Sequence, residues 1–306
     1  MRSPHPVQAR LTAYLQLLRP ANVITALADV LAGFAVAGAA LSLQGGTAAT
    51  EWSALGWLLA ATAGLYGGGV VFNDVFDAEL DASERPERPI PSGRASRGGA
   101  ALFGGVLLAG GIAAASQVGV VSAGLAALIA GGAVLYDARA KHHAFFGPLT
   151  MGACRGGNLL LGASAVPAVM IGSWYLALLP IAYIAAITAV SQGEVHGGSV
   201  RTGYVALGLV MGVIGSLFAL GGRADVRVLH AAPFALFLAI QVVPPFWRAA
   251  QTPSPAHIRT AVTAGVVGLI PLNAALAAGF GGWLYGLLVL ALLPISMGLG
   301  RVFAVT

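Results

Sequence analysis

Charge is what this chain has least of. Only 9% of its 306 residues are Asp, Glu, Lys or Arg, against 58% hydrophobic residues. A soluble domain carries about a quarter charged residues, so an ordinary water-facing surface is excluded. Acid is scarcer than base: eleven carboxylate side chains stand against sixteen Lys and Arg. A single cysteine, Cys154, excludes an internal disulfide and any cysteine-built metal site. Residues 1–19 hold no apolar core ahead of a cleavage site, so a removable signal peptide is not expected there.

In place of charge there are long uncharged windows: 53–73, 98–136, 156–193, 202–222 and 260–300. A membrane-spanning helix takes about 20 apolar residues. The windows near forty residues must therefore each fold into two spans, with turn-like breaks at 116–119, 167–173 and 279–282. This predicts a single all-α domain over residues 1–306, a polytopic membrane bundle of nine to ten helices. The expected spans are 21–41, 53–73, 98–115, 119–136, 147–166, 173–192, 202–221, 229–247, 258–278 and 283–302. Forty-three glycines suit close helix packing in lipid.

The basic residues orient the bundle. With the amino terminus inside, 14 of the 16 Lys and Arg fall in inner-side segments, and only Arg223 and Arg227 lie outside. Cytoplasmic loops carry such an excess. The expected setting is the cell's inner membrane, with the amino terminus and the acidic residues at its cytoplasmic side. The net charge of +5 then reports topology, and nothing in it argues for a nucleic-acid partner.

Six of the eleven acids crowd into residues 74–87, directly after an uncharged run and directly before the basic, proline-rich turn Arg88-Pro89-Ile90-Pro91-Ser92-Gly93-Arg94. If the helix of that run continues, Asn73, Asp77 and Asp81 stand four apart on one face. Like charges at that spacing repel, so a bare helix gains nothing from them. A shared divalent cation reverses the sign. Hard cations such as Mg²⁺ take carboxylate oxygens and usually add those of a substrate phosphate. Arg85 and Arg88 can pair with the same phosphates. The plainer alternative is a solvated, charge-rich loop, which has no reason to keep helical register.

Other polar residues stand out against the apolar background. Asn22 follows Arg19-Pro20 at the start of the first span, as a cap or as a group facing a cavity. Asp29 is an acid two turns into an apolar helix, either a functional candidate, as intramembrane acids are by default, or a protonated carboxyl bonded to a neighbouring helix. The fourth span ends in Tyr136, Arg139 and Lys141, which either anchor the inner face or face a diphosphate. Arg155 and Asn158 lie too deep in the fifth span to reach the surface easily, which points to a polar cavity. After the sixth span come Gln192, Glu194 and His196, a thinner counterpart of the first motif on the same face. Asn273 is the polar residue of the ninth span.

These residues carry a resemblance. The run Asn73-Asp74-x-x-Asp77-x-x-x-Asp81, followed by Arg85-Pro86-x-Arg88-Pro89, resembles the first aspartate-rich motif of the UbiA family of intramembrane aromatic prenyltransferases. Tyr136 with Lys141 is similar to the family's Y-x-x-x-K feature, one residue longer here, and Arg19-Pro20 with Asn22 matches its opening. The resemblance covers roughly residues 15 to 280. It implies Mg²⁺-dependent transfer of an isoprenoid group from a prenyl diphosphate to an aromatic or other lipophilic acceptor. In that reading Asn73, Asp74, Asp77, Asp81 and Glu194 hold metal, and Asp77, Lys141 and Glu194 act in catalysis. Asn22, Asn73, Arg85, Arg88, Tyr136, Arg139, Arg155, Asn158 and His196 contact substrate.

Two departures stand out. The family's second motif offers two or three aspartates, where this chain has Glu194 between Gln192 and His196. The family also has nine spans, so 283–302 is a candidate addition. The segment 191–198 is most like the divergent EboC branch. A non-catalytic protein that binds or moves isoprenoid lipid is the alternative that the thinned motif supports.

Overall fold

The structure is a computed structural model that describes residues 6–38, 49–195 and 197–303. His196 and the end of the first expected span, 39–41, lie outside the described residues. All regular structure among the described residues is helical, as expected. In lipid a spanning segment must satisfy its own backbone groups, and an α-helix does so without partners.

The chain runs through α1 (Pro6–Leu18), α2 (Pro20–Val36), α3 (Ala49–Phe76), the short α4 (Ala78–Glu84), α5 (Arg97–Ser116), α6 (Val120–Ala138) and α7 (Phe146–Ala163). It continues through α8 (Pro167–Gly172), α9 (Leu178–Ser191), α10 (Val200–Ala219), α11 (Val228–Gln251), α12 (Pro255–Gly281), α13 (Trp283–Leu290) and α14 (Leu292–Val302). Helix starts follow local chemistry. The hydroxyls of Ser96 and Ser199 accept from the amides of Gly99 and Thr202, capping α5 and α10. Pro20 opens α2, where its missing N–H costs nothing.

Nine helical stretches among the described residues are long and apolar enough to cross a membrane. Helix α7 is not one of them, although it coincides with the expected fifth span. Arg155 and Asn158 lower its hydropathy, and it is buried among α2, α6 and α9 instead of facing lipid alone. Helices α13 and α14 occupy the candidate addition at 283–302. They pack on α12 and α2, with Ser296 Oγ donating to the Ala21 carbonyl at 2.9 Å.

Helix α2 is the axis of the bundle. Ala26, Val30 and Phe34 are wholly buried along it, and it packs against α3, α7, α12 and α14. Its crossing with α7 is backbone against backbone. A Cβ at Gly33 would collide with the Leu159 carbonyl, and one at Gly162 with the Val30 carbonyl. Neither carbonyl can yield, because each belongs to a helical ladder. Gly33→Val is therefore expected to destabilise the bundle by about 3 kcal/mol or more. Size-exclusion traces of detergent-solubilised protein after heating would read this as loss of the monodisperse peak. Gly105→Val, where a side chain meets open space, should leave the trace unchanged.

Candidate functional site

The ladder of α3 does not stop at Phe76. The Asp77 amide donates to Asn73 O at 3.0 Å and the Asp81 amide to Asp77 O at 2.8 Å, so helical register holds through the acidic run. Asn73, Asp77 and Asp81 thus keep the four-residue spacing read from the sequence. Their side chains nevertheless take different partners. Asp77 pairs with Lys141, Asp74 with Arg19 and Arg88, and Asp81 with Arg88 at 2.7 Å. Arg88 can bridge Asp74 and Asp81 because they are seven residues apart, two turns on one face. The proline-rich turn brings it back, held by Ala95 N to Pro89 O at 2.9 Å.

Asp74, Asp77 and Asp81 are thus each held by a cation of the chain itself. Repulsion among the acids is relieved by interleaved cations. Among the described residues no three acidic, histidine or cysteine side chains gather closely enough to hold an ion.

Arg19 reaches Asp74 from an unusual backbone. Its φ of 46° makes it the one non-glycine with positive φ among the described residues. Such conformations are costly for a bulky residue and persist where the surroundings impose them. Here Pro20 bars ordinary helical geometry at the preceding residue, and the ion pair holds the result.

Behind the acids lies a cavity of about 240 Å³ between α2, α3, α6 and α7. Arg19, Asn73, Tyr136 and Asp137 line it beside the acidic run; Asn22, Tyr66, Arg155 and Asn158 line it further along, with apolar Leu65, Ile129 and Met151. Asn73 Nδ2 donates to Asp137 Oδ1 at 2.9 Å across the gap between α3 and α6.

The inner wall is a polar network in the middle of the bundle. Asp29 is fully buried, accepts from Asn273 Nδ2 at 2.7 Å and Asn158 Nδ2 at 3.2 Å, and forms an ion pair with Arg155 Nη1 at 3.3 Å. Arg155 also donates to Thr25 Oγ1 at 3.0 Å and lies over the Tyr66 ring. Its Nε is buried with no hydrogen-bond partner.

The structure sorts the sequence candidates. Asn22, Asn73, Tyr136, Arg155 and Asn158 line the cavity, with Asp77 and Lys141 paired beside its acidic end. Arg139 is exposed and lies outside the lining. Glu194, in the turn after α9, is half-buried and also outside the lining. Burial raises its pKa, opposed by the nearby charges of Arg85 and Arg259. Arg85 lies near enough to Glu194 to act on it electrostatically and is not part of the cavity lining. Asp137 and Tyr66 are cavity residues that the sequence left without a role, and Arg19, which matched the family's opening, also lines the cavity. For Asp137 a signal existed: an acid beside Tyr136 in a chain with only eleven.

Comparison with known proteins gives this arrangement its place. The model of the UbiA prenyltransferase family matches residues 31–251, from inside α2 to the end of α11. The chain belongs to the UbiA prenyltransferase family.

Among curated relatives, the digeranylgeranylglyceryl phosphate synthase of Methanopyrus kandleri is 34% identical over 152 residues, covering 50% of this chain and 52% of the relative. The enzyme of that name from Halobacterium salinarum is 30% identical, covering 69% and 75%. The chain thus spans about half the length of the first relatives it matches. A solved structure of a digeranylgeranylglyceryl phosphate synthase in membranes shares the fold with a TM-score of 0.66 at 20% identity, covering 89% of this chain and 99% of that one. The apo structure of a UbiA homologue from Aeropyrum pernix K1 does so with 0.64 at 17%, covering 83% and 96%.

UbiA membership makes a divalent cation the group to test against the residues present. Asn73 and Asp77 offer amide and carboxylate oxygens one helical turn apart, beside the cations Arg19 and Lys141. Mg²⁺ is usually bound through one or two carboxylates, its own waters and phosphate oxygens, without a full protein cage. The first motif fits that requirement.

Proposed function

We propose that this UbiA protein transfers an isoprenoid group from a prenyl diphosphate to a lipophilic acceptor, using Mg²⁺ held at Asn73 and Asp77. One observation carries the reading. A cavity within a membrane bundle opens beside hard oxygen donors that are interleaved with Arg19, Arg88 and Lys141. That combination suits a group of high negative charge attached to an apolar tail.

In the reaction the bond between the allylic carbon and the diphosphate oxygen breaks, and the acceptor's nucleophile bonds to that carbon and gives up a proton. Mg²⁺, when bound, neutralises charge on the departing diphosphate. Lys141 and Arg19 add fixed positive charge where negative charge develops, the kind of preorganised stabilisation that lowers such barriers. The Tyr136 phenol, which lines the cavity, donates to a phosphate oxygen in this reading. Leu65, Ile129 and Met151 keep water from the carbon that becomes cationic. Arg155, with its unpartnered Nε, suits an acceptor with an oxygen-bearing head, in keeping with relatives whose names contain a glyceryl phosphate. Orientation follows the basic residues, with the acidic end at the cytoplasmic side of the cell membrane.

Purified protein in liposomes, given labelled geranyl, farnesyl and geranylgeranyl diphosphates with candidate acceptors, should release diphosphate with Mg²⁺ and stop with EDTA. Folded protein that releases none with any pair would sink the enzyme reading.

The position of Glu194 outside the cavity lining favours a second reading, a non-catalytic binder of isoprenoid lipid. Glu194→Gln separates the two. On the enzyme reading with Glu194 as proton acceptor, turnover falls at least about tenfold. Turnover that never exceeds background, with lipid binding retained in both proteins, would favour the binder.

A further inference from the structure

Asp137 is 4% exposed, lines the cavity, and is the partner of the Asn73 amide. An ionised carboxylate can only accept hydrogen bonds, whereas an amide side chain has a donating and an accepting end. The 2.9 Å contact therefore decides which way Asn73 is turned. Its Nδ2 faces Asp137, and its Oδ1 is left for another partner. A hard cation binds the amide oxygen and has no use for the NH₂ group. Without Asp137 the amide of Asn73 is free to flip and present the wrong end.

A second observation points to a ligand in the same cavity. The cavity wall carries the buried Arg155 with an unpartnered Nε, and Arg19 stands at its acidic end. Asp137 thus works inside a pocket whose wall holds one buried, unspent guanidinium donor, that of Arg155. On α6 it also stands near the charges of Lys141, Asp77 and Arg19. It faces the first acidic motif through its contact with Asn73.

We infer that Asp137 is a positioning residue for the metal site, locking the Asn73 amide so that its oxygen faces the cation. The inference rests on the proposed Mg²⁺-diphosphate site and adds the residue that orients one of its ligands. Partners that orient a metal ligand typically matter by 10- to 100-fold in metal affinity.

Mn²⁺ is a suitable probe, titrated with inorganic pyrophosphate into detergent-solubilised protein and read by electron paramagnetic resonance. Asp137→Ala should weaken Mn²⁺ binding by about tenfold or more, within that range, while thermal stability stays near wild type. Asn73→Asp should weaken it as well, because two carboxylates would meet at hydrogen-bond distance. The exchange Asn73→Asp with Asp137→Asn rebuilds a donor–acceptor pair with its polarity reversed and leaves a carboxylate oxygen for the ion. Binding should recover most of what Asn73→Asp alone loses, because the ligand is again oriented by a partner. A role in packing alone would move stability and leave the Mn²⁺ affinity of the folded protein where it was.

Wild-type binding together with unchanged affinity in Asp137→Ala would overturn this inference and leave the proposed function standing. If Asp137→Ala does not fold, the exchange pair decides: recovery supports the inference, and no recovery over Asn73→Asp overturns it. Wild-type protein that binds no Mn²⁺ with pyrophosphate would remove the metal reading and this inference with it.

Discussion

Asp77→Ala should cut diphosphate release by about a hundredfold or more at saturating Mg²⁺, with the folded fraction unchanged, since one well-placed electrostatic group contributes on that scale. Asp77 is the acid of the run that is paired with Lys141 and stands on the same face as Asn73. Its removal takes away the strongest ligand of the proposed cation and leaves Lys141 without its carboxylate. Lys141→Met is the informative companion. It releases Asp77 from its ion pair, so metal affinity should hold or rise while turnover falls. A variant that binds Mn²⁺ at least as well as wild type but turns over slowly would assign Lys141 to the leaving group. Combined, the two changes should cost little more than Asp77→Ala alone, because groups acting as one unit are not additive. Initial rates of pyrophosphate release at several Mg²⁺ concentrations would check all three. Wild-type rates in Asp77→Ala would remove the acidic run from the chemistry.

The sequence exposes its acidic run through charge economy. In a chain so poor in acid, six carboxylates within fourteen residues need a reason, and the spacing of Asn73, Asp77 and Asp81 is a helical one that the backbone keeps. What spacing cannot tell is the partner of each side chain. Arg88 collects Asp74 and Asp81 because the turn around Pro89 folds back, and Lys141 reaches Asp77 from another helix. Both are tertiary facts.

Arg155 shows the same limit from the other side. Its depth in the fifth span marked it as facing a polar cavity, which it does, but its ion pair with Asp29 crosses 126 residues of chain. Asp29 and Asn273 each stood out as polar residues in apolar helices, and nothing in their local sequence says that they touch. Asp137 was overlooked for a different reason. Beside Arg139 and Lys141 it reads as one charge of a basic loop, and only the contact with Asn73 reveals which face of α6 it occupies.

The second large effect belongs to Asp29. It is 0% exposed at the meeting of α2, α7 and α12, and Arg155 is its ionic partner. Burying two charges is expensive, and their mutual attraction offsets much of that only while both are present. Asp29→Leu leaves the guanidinium buried with Thr25 and the Tyr66 face as its remaining contacts. It also leaves the Nδ2 of Asn273 with only the Leu269 carbonyl. Removing one partner of such a pair costs about 3–5 kcal/mol, so the variant should lose most of its folded, monodisperse protein on mild heating in detergent. Asp29→Leu with Arg155→Met removes both charges and should recover most of that stability, as apolar replacement of whole buried pairs often does. The recovered protein then isolates function from folding. With Arg155 gone the cavity wall has no buried cation, so turnover should stay low although the bundle is intact. If the double variant is both stable and fully active, the Asp29–Arg155 pair serves packing alone, and acceptor recognition must lie elsewhere in the cavity.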